Sequence, residues 1–206
     1  MSSLDKKRTE FESGDLRYQG PNRVVFLAVI MLAVVGVTWF VIASRNTARI
    51  PLRWEAGTYN IGRPVSYKDN ETINMVDVSN QAIGGNIILD LKAIVQKRLI
   101  YSTTPYEWNG VQKALTAYLT PSGNLVVAMS MCEPCRSQRF HITGKILICN
   151  TCGTRWLLAD SRGLSGGCTQ YPPERLPFSV KDGKILVPEK VVKEWVPRTL
   201  NTGMKQ

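Results

Sequence analysis

All five cysteines of this 206-residue chain lie between Cys132 and Cys168, and residues 1–131 hold none. Four of them form two Cys-x-x-Cys pairs, Cys132 with Cys135 and Cys149 with Cys152, thirteen residues apart. The fifth, Cys168, closes a Ser165-Gly166-Gly167-Cys168 turn. A Cys-x-x-Cys turn brings two sulfurs within reach of one ion, and two such turns can complete a tetrahedral four-sulfur site. The region must therefore fold so that two turns meet. A metal centre uses this pattern directly. Two disulfides with one spare thiol would also consume five cysteines, but that arrangement needs an oxidising compartment and leaves a thiol over. A structural zinc ribbon remains a third reading of the same spacing.

A second feature divides the chain. Val24 to Ala43 is an uncharged apolar run bracketed by Arg23 and Arg45. Twenty residues at about 1.5 Å each match a hydrocarbon core about 30 Å thick. Trp39 and Phe40 near one end suit an interface. A cleaved signal peptide is the rival reading, with Val41-Ile42-Ala43 as the cleavage site. The 23-residue polar leader and the length of the run argue instead for an uncleaved anchor. The expected layout is a polar cytoplasmic tail over residues 1–23, a transmembrane helix over 24–43, a connector over 44–70, a metal-binding domain over 71–198 and a tail over 199–206. Charge decides orientation weakly: five Lys and Arg precede the run and four follow within residues 44–63. Positive-inside counting leans toward a cytoplasmic N-terminus and an extracytoplasmic domain.

Residues 44–206 carry 21 Lys and Arg against 12 Asp and Glu. A basic domain tethered at a bilayer is drawn to anionic headgroups. The basic residues are dispersed, with no run longer than three, so nucleic acid is not the expected partner.

Within the domain the turn signals predict hairpins. Leu115–Thr120 and Leu125–Met131 flank Pro121-Ser122-Gly123-Asn124. Arg139–Ile142 and Lys145–Ile148 flank Thr143-Gly144 and link the two cysteine pairs. Thr154–Ala159 reads as a strand, and Val180–Val187 folds around Asp182-Gly183. Gly85–Ile94 and Gly183–Val192 share a turn–strand–helix pattern 98 residues apart, with Pro188 suited to a first helical turn. The expected fold class is α+β: a β-rich domain with Cys-x-x-Cys knuckles on hairpins, two short helices near 90–97 and 189–195, and one N-terminal transmembrane helix.

The stretches Cys132-Glu133-Pro134-Cys135, Leu147-Ile148-Cys149-Asn150-Thr151-Cys152-Gly153-Thr154-Arg155-Trp156 and Gly166-Gly167-Cys168, followed by Pro172-Pro173, resemble the FtrD-like family of membrane iron–sulfur proteins. The resemblance covers about residues 75–196. It implies a membrane-anchored domain associated with bacterial iron uptake, beside an iron permease and small exported metal-binding proteins. It further implies an iron–sulfur cluster or iron held by Cys132, Cys135, Cys149, Cys152 and Cys168, and electron transfer rather than enzymatic turnover. Some members have many spans, whereas this chain shows one. Zinc or copper would also accept these thiolates and needs no cluster assembly.

Other residues carry less. Met129 and Met131 could serve as soft ligands but alternate on one strand face, which suits a core. Arg136, Arg139 and Arg155 could offset thiolate charge or stand as solvated surface charges. His141, the only histidine, suits a structural role, Trp156 a cover for the site and Trp195 the packing of the last helix. The alternative of a thiol–disulfide oxidoreductase needs a Cys-x-x-Cys that opens a helix after a strand. Here each pair carries turn residues and precedes a strand. No Ser/His/Asp set, phosphate-binding glycine loop or carboxylate pair offers hydrolytic or phosphoryl-transfer chemistry.

Overall fold

A computed structural model describes residues 22–45 and 53–198. Most of the expected N-terminal tail, part of the connector and the whole 199–206 tail lie outside those residues. The chain divides into two compact units, Met1–Ala48 and Arg49–Gln206.

The first unit contains helix α1 (Arg23–Arg45), built from helix-compatible Leu, Ala and Met with branched Val and Ile. Its backbone starts with Phe26 N–H on the Asn22 carbonyl at 3.0 Å. The Thr38 hydroxyl turns back onto the Val34 carbonyl at 2.7 Å, so even this polar group is satisfied within the helix. Val24, Leu27, Met31 and Leu32 are exposed. Among the described residues no helix is long and apolar enough to cross a membrane. The span expected over 24–43 thus lacks structural support.

The second unit is β-rich. Its first elements are β1 (Thr72–Asn74), β2 (Val76–Asp77), β3 (Gln81–Ile83), β4 (Asn86–Asp90), α2 (Leu91–Lys97), β5 (Leu99–Trp108), β6 (Val111–Leu119) and β7 (Leu125–Met129). There follow β8 (Phe140–Thr143), β9 (Ile146–Cys149), β10 (Arg155–Leu157), β11 (Gly163–Ser165), β12 (Ser179–Lys181), β13 (Lys184–Pro188) and α3 (Glu189–Glu194). Three sheets form, in the orders β2-β5-β6-β7, β12-β13-β4-β3 and β1-β8-β9-β10-β11. The three expected hairpins are present as β6–β7, β8–β9 and β12–β13, and both short helices fall where the pattern placed them.

The β2-β5-β6-β7 sheet is the middle layer. Successive side chains on a strand point to opposite faces. Leu115, Ala117 and Leu119, with Val127 and Met129, pack into one core beside Ile87, Leu89, Ile94, Ile185, Val187, Val192 and Trp195. Tyr118, Val126 and Leu99 turn the other way, toward Phe140, Ile142, Leu147, Trp156 and three of the cysteines. Burial on both faces explains why β6 and β7 read as near-continuous apolar runs.

The repeated pattern is a structural repeat. β4 and β13 pair antiparallel with Ile88 opposite Leu186, its equivalent 98 residues on. The outer strands match too, since Gln81 faces Ile88 and Ser179 faces Leu186. Each helix starts on the other copy's turn: Leu91 N–H donates to the Gly183 carbonyl and Glu189 N–H to the Gly85 carbonyl. Asp90 caps α2 by accepting from Lys92 N–H at 2.9 Å, whereas Pro188 gives α3 no side-chain cap.

Residues 57–67 run along this unit. Ile61 and Val65 N–H groups donate to the Gly123 and Pro121 carbonyls, and Leu125 N–H donates to the Tyr59 carbonyl. Buried Tyr67 donates its hydroxyl to the Leu119 carbonyl at 2.6 Å.

Candidate metal centre

Two backbone turns of the same form build most of the site. In the first, Cys132 N–H donates to the Ser137 carbonyl at 2.7 Å; in the second, Cys149 N–H donates to the Thr154 carbonyl at 3.0 Å. The residue after each pair is left-handed: Arg136 at φ 57° and Gly153 at φ 68°. The β8–β9 hairpin joins the turns, with Phe140 opposite Cys149. Neither pair opens a helix, which separates this arrangement from a thioredoxin-type dithiol.

The third element is the loop after β11. Gly166 has φ 105°, and a Cβ there would sit 2.5 Å from Thr154 Oγ1 and 2.7 Å from Thr154 Cα. Only glycine lets the loop press onto Thr154. Cys168 N–H then donates to Thr154 Oγ1 at 3.2 Å.

The sulfurs converge. Cys132 and Cys152 Sγ are 3.8 Å apart, Cys135 and Cys149 3.6 Å, and Cys152 and Cys168 3.8 Å. Sγ atoms of Cys132, Cys135, Cys152 and Cys168 all lie within 4.8 Å of one another. The four that lie mutually within that distance include Cys168, and Cys149 adjoins them through Cys135 and Cys132. The spacing instead pointed to Cys149 as one of the four and Cys168 as the extra. All five are free thiols. Four thiolates about 2.3 Å from one ion would be separated by about 3.8 Å in a tetrahedron, so the donor set fits a thiolate-bound metal.

Burial is uneven. Cys132, Cys149 and Cys168 are buried, Cys135 is half-buried and Cys152 is exposed. Trp156 is fully buried among these cysteines, edge-on to Phe140 at 6.2 Å between ring centroids, and its Nε1–H donates to the Thr169 carbonyl at 3.1 Å. It shares one buried cluster with Cys132, Cys149 and Cys168.

Proximity sets the thiols against one another. Sharing a hydrogen bond with Cys132 holds the Cys149 thiol down at about 4 and, with burial, pushes Cys132 up. Burial pushes Cys135 up to about 12 and raises Cys168 as well. Burial also acts to raise Cys152, but hydrogen bonds from Thr154 outweigh it and leave this thiol lowered. Cys149 and Cys152 are thus held down while Cys132, Cys135 and Cys168 are pushed up, because several thiolates this close repel one another without a cation between them.

The first turn has a buried ion pair that sequence reading missed. Glu133 accepts from Arg198 Nε at 2.6 Å and from the Arg198 backbone N–H. Arg198 also donates to the Pro172 carbonyl at 2.7 Å and lies over the Tyr171 ring. One guanidinium thus ties the first turn, the chain just beyond Cys168 and residue 198 together. A Glu between two cysteines was a visible signal; its partner 65 residues away was not.

Met129 and Met131 lie in the larger core, away from the sulfurs. His141 Nδ1 is 2.7 Å from Asn150 Oδ1. Arg139 pairs with Asp77 at 2.8 Å and stacks over Tyr101, while Arg136 lies over Trp108. Arg155 is exposed. Trp195 is buried and donates Nε1–H to Glu174 at 2.7 Å.

Among comparisons with known proteins, the family model described as "Membrane iron-sulfur containing protein FtrD-like" matches residues 94–198, which holds all five cysteines. No curated protein matches the chain. No solved structure matches it.

Proposed function

Because the chain belongs to the FtrD-like family of membrane iron–sulfur containing proteins, we propose that it is a membrane-anchored thiolate metal protein that transfers electrons or handles metal during iron uptake. The observation that carries this reading is the convergence of Cys132, Cys135, Cys152 and Cys168. These four would hold the metal, with Cys149 as the adjoining fifth thiol. A thiolate-bound iron centre supplies a reversible one-electron couple whose potential follows charge, hydrogen bonding and exposure. The chain supplies the rest. Trp156 and Phe140 exclude water from one side, the Glu133–Arg198 pair holds the first turn without adding net charge, and exposed Cys152 leaves the other side reachable.

The anchor belongs to the same proposal. The apolar run of residues 24–43 supports a single span. The soluble unit would then sit outside the cytoplasm, beside an iron permease and exported metal-binding proteins. The experiment is metal analysis with an absorption spectrum on full-length protein purified anaerobically from membranes. Bound iron with visible thiolate-to-iron charge-transfer bands is expected. A colourless zinc-loaded protein would replace electron transfer with a structural zinc site, and metal-free protein with disulfides would overturn the reading.

A further inference from the structure

Thr154 is fully buried, and its side chain stands between the second cysteine turn and the loop that carries Cys168. Its oxygen is 3.2 Å from Cys152 Sγ and accepts the Cys168 N–H at 3.2 Å. Its backbone carbonyl closes the second turn on Cys149 N–H at 3.0 Å. Gly166 presses so closely that a Cβ would fall within 2.9 Å of three Thr154 atoms, Oγ1 among them. No other described group donates or accepts at the Thr154 hydroxyl, so its two partners are both cysteines.

From this geometry we propose that Thr154 is the positioning residue that brings Cys168 into the sulfur cluster. It fixes the Cys168 backbone through its lone pair and faces the Cys152 sulfur with its hydroxyl. A hydroxyl has one hydrogen and two acceptor sites. When Cys152 is a thiol, its S–H can donate to the oxygen. When Cys152 is a metal-bound thiolate, the hydroxyl donates to sulfur. The same residue therefore meets Cys152 in both states. Gly166 follows from this arrangement: the loop must lie flat on Thr154, and any side chain there would lift Cys168 away. The placement of Cys168 stands without metal; the role toward bound metal rests on the proposed thiolate centre.

The test uses full-length protein reduced and metal-free, then loaded with Co²⁺. Iodoacetamide labelling followed by peptide mass mapping reads each cysteine separately. In metal-free Thr154→Val, which keeps the side-chain shape and removes the hydroxyl, Cys168 should label about five- to tenfold faster, the effect of losing one buried hydrogen bond of about 1–1.4 kcal/mol. Cys132 should keep its slow rate. Thr154→Ser should restore protection. Gly166→Ala, whose Cβ would crowd Thr154 Oγ1 and Cα, should release Cys168 in the same selective way. After Co²⁺ loading, Thr154→Val should show weaker thiolate-to-cobalt absorption than the wild type, and Thr154→Ser should recover it. Unchanged Cys168 labelling in Thr154→Val, failure of serine to restore it, or equal acceleration at all five cysteines would overturn the positioning role. If the wild type takes up no Co²⁺, the metal reading fails while the labelling arms still decide the role of Thr154.

Discussion

Residues 132–137 and 149–154 trace the same turn, each closed by an N–H on the carbonyl five residues later, yet they sit in opposite surroundings. The first is clamped. Cys132 is buried, and Glu133 between the two cysteines is locked to Arg198 with side-chain exposures of only 1% and 6%. The second is open. Asn150, Thr151, Cys152 and Gly153 are all exposed. The left-handed position repeats the contrast, with Arg136 propped against Trp108 in one turn and a bare glycine in the other. Two turns closed by the same hydrogen bond thus sit differently: the first is tied into the domain, and the second is exposed.

The comparison breaks most sharply at Arg198. Arg198→Ala strands the Glu133 carboxylate in a buried position, which typically costs about 3–5 kcal/mol. Urea unfolding should show a loss of that size, and an unchanged midpoint would mean that the first turn is not clamped. A smaller effect is expected at the left-handed positions. Gly153→Ala meets open space but a φ of 68°, so it should destabilise by about 1 kcal/mol. Arg136→Gly relieves the same strain but gives up its contact with Trp108, worth about 0.5–1 kcal/mol, and should be nearly neutral. Equal costs at the two positions would erase the contrast. The smallest effect concerns Asp77, whose carboxyl Arg139 holds below its ordinary range by a paired hydrogen bond. A depressed carboxyl adds stability that is present above its unfolded pKa, about 4, and lost as pH falls through the lower folded value. Asp77→Asn should therefore differ from wild type by under about 1 kcal/mol at pH 7 and converge with it as the pH is lowered toward 2. A difference that grows in acid would contradict that assignment.

What could be read from sequence followed local rules. Gly144, Gly183 and Gly123 mark turns, so the hairpins were visible. The matching patterns at 85–94 and 183–192 announced two similar units, though not that they pair across a two-fold with Ile88 facing Leu186. Strand β5 was not among the expected strands, although Asn109-Gly110 after it marks the tight turn into β6, with φ of 48° and 73°. Residues 57–67 resemble a linker in composition, with Gly57, Gly62 and Pro64. Their partners on Pro121, Gly123 and Leu176 are far along the chain. At Gly57 the missing side chain lets the strand lie against Phe178, where a Cβ would fall at 2.5 Å. The spacing located the site and all five cysteines but not which four lie mutually within 4.8 Å. That choice depends on Thr154 and Gly166 drawing in Cys168, a contact that spacing does not encode. Arg198 was invisible for the same reason.

The central claim is that these turns and the Cys168 loop hold one metal centre through sulfur. X-ray absorption at the metal edge of full-length protein from membranes tests it most directly. A first shell made only of sulfur is expected, with metal–sulfur distances of about 2.3 Å, and loss of that signal in Cys132→Ser. A first shell of nitrogen or oxygen, or protein that carries no metal at all, would contradict it.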